Sequence, residues 1–137
     1  MSEAAVSRPG QFSSWAEHYD RFAVCQRRIA EELMLRLQQD KVEPHQILDL
    51  GSGTGMLSGL LKARYPQART VGIDNSLAML QVHRQKQSDF DGVHQVCGSF
   101  DDLPFQPQSF DLIVSSMALH WSQNLSDCWK NLHSLLR

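Results

Sequence analysis

The sequence predicts an α/β domain, a parallel sheet with helices packed on its faces. Three observations carry this expectation. Ile47-Leu48-Asp49-Leu50 is a short apolar run holding one acid, the pattern of a strand buried on both faces. Gly51, Gly53 and Gly55 follow at alternate positions, and Met56-Leu57-Ser58-Gly59-Leu60-Leu61 then opens a helical pattern. Beyond them strand and helix patterns keep alternating, as crossover connections of a parallel sheet require.

Taken in order, Met1 to Gln11 are small and polar, with Pro9-Gly10, and read as a lead-in to a domain spanning 12–137. Phe12 to about Gln39 is helical. Phe12, Trp15, Ala16, Tyr19, Phe22 and Ala23 share a stripe that Ile29, Leu33 and Leu37 extend. Ser14 and Glu17 form a capping-box pattern, and a bend is expected near Phe22–Val24. Asp40 to Gln46 connects to the first strand. The helix after the glycines should stop at Ala63 or Arg64, before Tyr65-Pro66. Thr70-Val71-Gly72-Ile73-Asp74 reads as the second strand. Ser76 is placed to cap a helix with the face Leu77, Leu80, His83–Arg84, continuing towards Gln87. Val93 to Cys97 reads as the third strand, Gly98 to Gln108 as a loop, and Phe110 to Ser115 as the fourth strand. A last helix from Asn124 or Ser126 shows no stop signal before Arg137. Right-handed crossovers put strands two and three on one side of strand one and strand four on the other, so the switch point falls beside Gly51.

The 137 residues fit one domain with a real core. A net charge of −2 gives no electrostatic reason to expect nucleic acid or an anionic membrane as partner. The chain has no apolar run near the roughly 18 residues that span a bilayer, and Met1 to Gly10 lacks the apolar core of a signal peptide. Cys25, Cys97 and Cys128 fit neither a disulfide framework nor a zinc site, which points to reduced thiols in a cytoplasm.

The glycine turn narrows the ligand. A dinucleotide fingerprint needs glycine where Met56 stands, which disfavours a dehydrogenase. The pattern here is D-x-G-x-G-x-G, where bare backbone and free helix N–H groups can meet a polar ligand. Asp74 ends the second strand nineteen residues after Gly55, where an acid can accept both hydroxyls of a ribose or else merely cap the next helix. The Gly98–Phe105 loop lies where an adenine would fall. Phe100 and Leu103 can wall a ring, and Ser99 or Asp101 can accept from its amino edge. His120 and Trp121 lie past the fourth strand; His120 could orient a substrate, act as a base, or simply pack on Trp121.

Together Phe12-Ser13, His18-Tyr19-Asp20, Gln26, ILDLGSGTG (47–55), GIDNSLAML (72–80), CGSFDDLPF (97–105) and FDLIVSSMALHW (110–121) carry a resemblance. They resemble the class I S-adenosylmethionine (SAM)-dependent methyltransferases and, within them, the malonyl-[acyl-carrier protein] O-methyltransferases of biotin synthesis (BioC-type). The resemblance implies a Rossmann-like sheet of which strands one to four are present and C-terminal strands are missing. It implies SAM as cofactor and, as substrate, the free carboxylate of a malonyl thioester on acyl carrier protein or coenzyme A. A cofactor-binding set of Asp49, Gly51, Ser52, Gly53, Asp74, Asn75, Met79, Ser99, Phe100, Asp101 and Ser115 follows, with Tyr19 and His120 as catalytic candidates. Gly51 and Gly53 would face the methionine part, Asp74 the ribose and Met79 the adenine, while Tyr19 would close over the methyl group. Two positions depart from the family: Ser99 replaces an acid, leaving Asp101 as a substitute, and His120 stands where glutamine is frequent. The alternatives are another methyltransferase of this class, of the trans-aconitate or quinone-precursor type, and a non-catalytic SAM-binding fragment. Strand four, without an outer neighbour, would leave a sticky edge.

Overall fold

The computed structural model describes residues 9–86 and 92–137, with side chains in the first helix from Arg21 onward. The order is α1 (Pro9–Gln39), β1 (Gln46–Leu50), α2 (Met56–Arg64), β2 (Arg69–Asp74), α3 (Leu77–Lys86), β3 (Val93–Cys97), β4 (Leu112–Ser115), a 3₁₀ turn (Leu119–Trp121) and α4 (Leu125–Leu135). The four strands form one sheet in the order β3-β2-β1-β4, and every pairing is parallel. The expected switch point is therefore present at β1, between β2 and β4.

Alternate residues of β1 feed two cores, because successive side chains point to opposite faces. Leu48 and Leu50 join Val71, Ile73, Phe110 and the α4 residues Cys128, Leu132 and Leu135. Ile47 joins Val114 with Ala30 and Leu37 of α1 and Leu57 and Leu61 of α2. Asp49 shares the Ile47 face, and its carboxylate accepts from Ser58 Oγ of α2 at 2.6 Å. Gly72 stands opposite Asp49 in the register. A Cβ there would come within 2.9 Å of Ser52 Oγ, so the missing side chain makes room for this buried polar group.

At the other end of the sheet, Asp111 fastens the entry of β1. Its Oδ2 accepts from the backbone N–H of His45 and of Gln46, both at 2.8 Å, and its own N–H donates to Gln46 O. These bonds hold its carboxyl below the usual range.

The structure corrects several sequence expectations. α1 starts at Pro9, so Ser14 lies inside the helix and cannot be its N-cap, and the lead-in loses residues 9–11; residues 1–8 lie outside the described part. α1 is one helix through Phe22–Val24. Its buried stripe is Ala30, Leu33, Met34 and Leu37, whereas Ile29 is exposed. On α3, Leu80 and His83 are buried but Leu77 is exposed; Gln87 lies outside the described residues. Ser76 caps α3 as expected, accepting from Met79 N.

The β4 ladder begins at Leu112, not Phe110. α4 stops at Leu135 because Leu136 turns extended and bridges Phe110 in parallel. Phe110 N donates to Leu135 O, and Arg137 N donates to Phe110 O. The outer side of Phe110 thus has a neighbour that the sequence did not announce. Among the described residues no helix is long and apolar enough to cross a membrane.

Candidate functional site: a glycine turn beside an acid

The turn after β1 is held from below. Gly51 N and Ser52 N both donate to Ile73 O of β2, at 2.8 and 3.0 Å, and Gly55 N donates to Ser52 O. Gly51, Gly53 and Gly55 all have positive φ, at 76°, 55° and 90°, so each favours glycine on backbone grounds. Their surroundings differ. A Cβ on Gly51 would collide with Ala118 Cβ and press on the Phe100 ring. One on Gly55 would clash with Cδ2, Nε2 and Cγ of the His83 ring. One on Gly53 would meet nothing within 4 Å. Only Gly53 therefore presents open space, while Gly51 and Gly55 serve packing.

Asp74 stands at this opening. Its Oδ2 accepts from Gly53 N at 2.9 Å and its Oδ1 from Ser76 N at 2.8 Å. A carboxylate has roughly four lone-pair sites, so each oxygen keeps capacity for another donor. A cavity of about 530 Å³ spreads outward from here. Of the residues singled out in the sequence, Gly51, Gly53, Asp74, Asn75, Met79 and Phe100 line it. Phe22, Gln26, Thr54, Ser116, Met117 and Trp121 line it too, without a sequence pattern that marks them as ligand-facing. Met117 sits there with φ 56°, a conformation unusual for a non-glycine residue. For Gln26, helical periodicity carries no information on which turn of another element it faces.

A second, narrower recess of about 50 Å³ adjoins the turn, lined by Gln26, Asp49, Ser52, Gly53 and Ser116 among others. Ser52 Oγ has no hydrogen-bond partner among the described residues. Asp49 is 1% exposed. Burial pushes its carboxyl up to about 6, the Ser58 hydrogen bond opposing and the nearby Asp74 charge adding to the rise. The raised value makes protonation of Asp49 favour the fold. This contribution is full below the unfolded value near 4 and is lost as pH rises through about 6. It amounts to about 3 kcal/mol. Asp49→Asn keeps an acceptor for Ser58 and removes the charge. Urea titrations at pH 4.5 and 7 should therefore show a stability loss in the parent that is much smaller in the variant. Equal pH dependence in both proteins would refute this.

Four expected site residues are turned to other tasks. Ser115 Oγ donates to Leu50 O at 2.9 Å, tying β4 to β1, and does not line the cavity beside Asp74. Ser99 is exposed, and its Oγ accepts from Asp101 N. Asp101 reaches across to the segment after β4: Oδ1 accepts from Ser122 Oγ at 2.7 Å and Oδ2 from Gln123 N at 3.3 Å. These bonds lower its carboxyl. Asp101 thus ties the Phe100 loop to the Trp121 segment, the two walls of the cavity. His120 is exposed, lies outside the lining and packs on Trp121 with ring centroids 4.9 Å apart. Tyr19 falls within α1, but its side chain lies outside the described residues.

A parallel sheet with a glycine turn, an acid at the neighbouring strand end and an apolar cavity between them defines a nucleoside-binding α/β domain. The comparisons specify it. Residues 47–137 match the family model described as a methyltransferase domain, and the chain belongs to that family. It is 38% identical over 125 residues to the malonyl-[acyl-carrier protein] O-methyltransferase of Legionella pneumophila, covering 91% of this chain and 44% of that one. The Gallionella capsiferriformans enzyme of the same name is 35% identical, covering 100% and 50%. Among solved structures, an S-adenosylmethionine-dependent methyltransferase from Mesorhizobium loti is 30% identical with a TM-score of 0.67, covering 78% of this chain and 49% of that one. A Methanococcus maripaludis protein, 21% identical, superimposes with a TM-score of 0.74, covering 100% and 63%, which shows the shared fold. The chain spans about half the length of the curated relatives it matches.

Proposed function

We propose that this chain carries the cofactor-binding part of a SAM-dependent O-methyltransferase. The reaction is conversion of the free carboxylate of a malonyl thioester, on acyl carrier protein or coenzyme A, to its methyl ester in biotin synthesis. The observation that carries the cofactor reading is the open face of Gly53 next to the Asp74 carboxylate, at the mouth of a cavity walled by Phe100 and Met79. The substrate reading rests on the similarity to the malonyl-[acyl-carrier protein] O-methyltransferases.

The residues present fit SAM. Asp74 would take the ribose hydroxyls, Phe100 and Met79 would flank the adenine, and Gly53 with the Asp49–Ser52 recess would face the methionine end. When bound, SAM supplies a methyl group activated on a sulfonium. The chain's own contribution is to orient and to exclude water. Phe22, Met117 and Trp121 place apolar surface around the opening. A carboxylic acid with a pKa near 4 is already ionised at neutral pH, so the acceptor oxygen needs no base. The position of His120 outside the cavity lining is in keeping with that, and it favours a carboxylate acceptor over a ring carbon. Cys25, Cys97 and Cys128 are all free, in keeping with a cytoplasmic protein. Mass spectrometry of malonyl-acyl carrier protein incubated with the full-length protein and SAM should show the gain of one methyl group on the malonyl unit. An unmodified malonyl unit after incubation with folded, SAM-binding protein would overturn the substrate assignment.

A further inference from the structure

His83, on α3, is 3% exposed and lies against Gly55, the left-handed N-cap of α2. The contact is close: the space a Gly55 side chain would fill is taken by His83 Cδ2, Nε2 and Cγ. The ring is itself oriented from the sheet. The neighbouring donors and acceptors assign the orientation of the Gln95 amide: so placed, its oxygen accepts from His83 Nδ1 at 3.0 Å and from Arg84 N at 3.2 Å, while its nitrogen donates to Leu80 O at 3.2 Å. Gln95 lies on β3 and pairs with Gly72 of β2, which stands opposite Asp49. The ring therefore forms a rigid stop between β3 and the last glycine of the turn.

We propose that His83 is a positioning residue for the cofactor turn: its ring, aimed by Gln95, fixes the position of Gly55 and thereby the presentation of Gly53. Gly55 N is bonded to Ser52 O and Gly55 O accepts from Gly59 N, so a shift at Gly55 moves both the turn and the first turn of α2. Gly53 sits between those two points and donates to Asp74, so its N–H and open face move with them. Removing the ring leaves a void that the turn can sink into, and a loosened binding surface raises the ordering cost of binding. This inference rests on the SAM reading for its functional arm but not for its structural one.

The test uses the full-length protein. In His83→Ala, SAM affinity by calorimetry should fall roughly tenfold, and the KM for SAM should rise in step while kcat at saturation stays within about twofold. His83→Asn places an amide N–H where Nδ1 donates and an oxygen near Cδ2, so it should restore most of the lost affinity. In the absence of any ligand, hydrogen exchange at Gly53 and Gly55 should quicken in His83→Ala and not in His83→Asn. Should His83→Ala fail to fold, Gln95→Leu, which frees the ring to tilt, should give the same KM-selective change and the same quickened exchange. A folded His83→Ala protein with a lowered melting temperature but unchanged SAM affinity and turn exchange would overturn the proposal. Failure of the parent protein to bind SAM would instead overturn the cofactor reading, and the ligand-free exchange would still decide the role of His83.

Discussion

Asp74→Ala should weaken SAM binding by about 2–3 kcal/mol if, as proposed, its carboxylate is the charged acceptor for two ribose hydroxyls. The effect has a second source that the geometry makes explicit. The same carboxylate accepts from Gly53 N and Ser76 N. Its removal leaves the N–H of Gly53, the open glycine of the turn, without its partner, so the turn loses definition at the mouth of the cavity. Asp74→Asn keeps one oxygen and should fall between parent and alanine variant. Calorimetry on variants shown to be folded by circular dichroism measures this. Unchanged affinity in a folded Asp74→Ala protein would remove Asp74 from the site.

Gly51→Ala and Gly53→Ala should separate stability from binding. Both positions have positive φ, costing about 1–2 kcal/mol for a residue with a Cβ. At Gly51 the added methyl also meets Ala118 Cβ and Phe100, which have little room to move inside the core. Overpacking adds about 1–3 kcal/mol there. Gly51→Ala should therefore lower the urea midpoint most, to the point where the folded state is marginal. At Gly53 the methyl enters open space, so the fold should bear it with only the backbone cost while SAM affinity drops sharply. The reverse order, with Gly51→Ala stable and binding-deficient, would mean that Gly51 rather than Gly53 faces the ligand.

Much of this was legible in the chain. Ile47–Leu50 and Thr70–Asp74 are apolar runs of strand length ended by glycine or acid, and a strand buried on both faces leaves that mark locally. Asp74 was legible because strand end and glycine turn are a fixed topological distance apart. Other features depend on partners far along the chain. His83 reads as a helical position, and nothing near it in sequence says that Gly55 is its neighbour. Asp101 has the chemistry of an adenine acceptor, yet it lies outside the cavity lining and bonds Ser122 and Gln123, residues positioned only once β4 is in place. α1 starts at Pro9, ahead of the expected Phe12, because a stripe of apolar residues reports a face and not an end. α4 ends where Leu136 finds Phe110, a pairing without a local signal.

The Asp111 clasp bears on how the sheet chooses its alignment. In a half-exposed strand, a slip of one residue puts apolar side chains into water and is rejected for that reason. β4 lacks this safeguard: Leu112, Ile113 and Val114 are apolar in sequence, so a shifted alignment still offers hydrocarbon to both sides. A carboxylate that must meet two particular N–H groups, on His45 and Gln46, has one solution only. Asp111 thus acts as an alignment key some four residues from the ligand end of the strand. The wall that runs from Ser116 to Trp121 reaches Gly51 through Ala118 because the strand is locked at its opposite end.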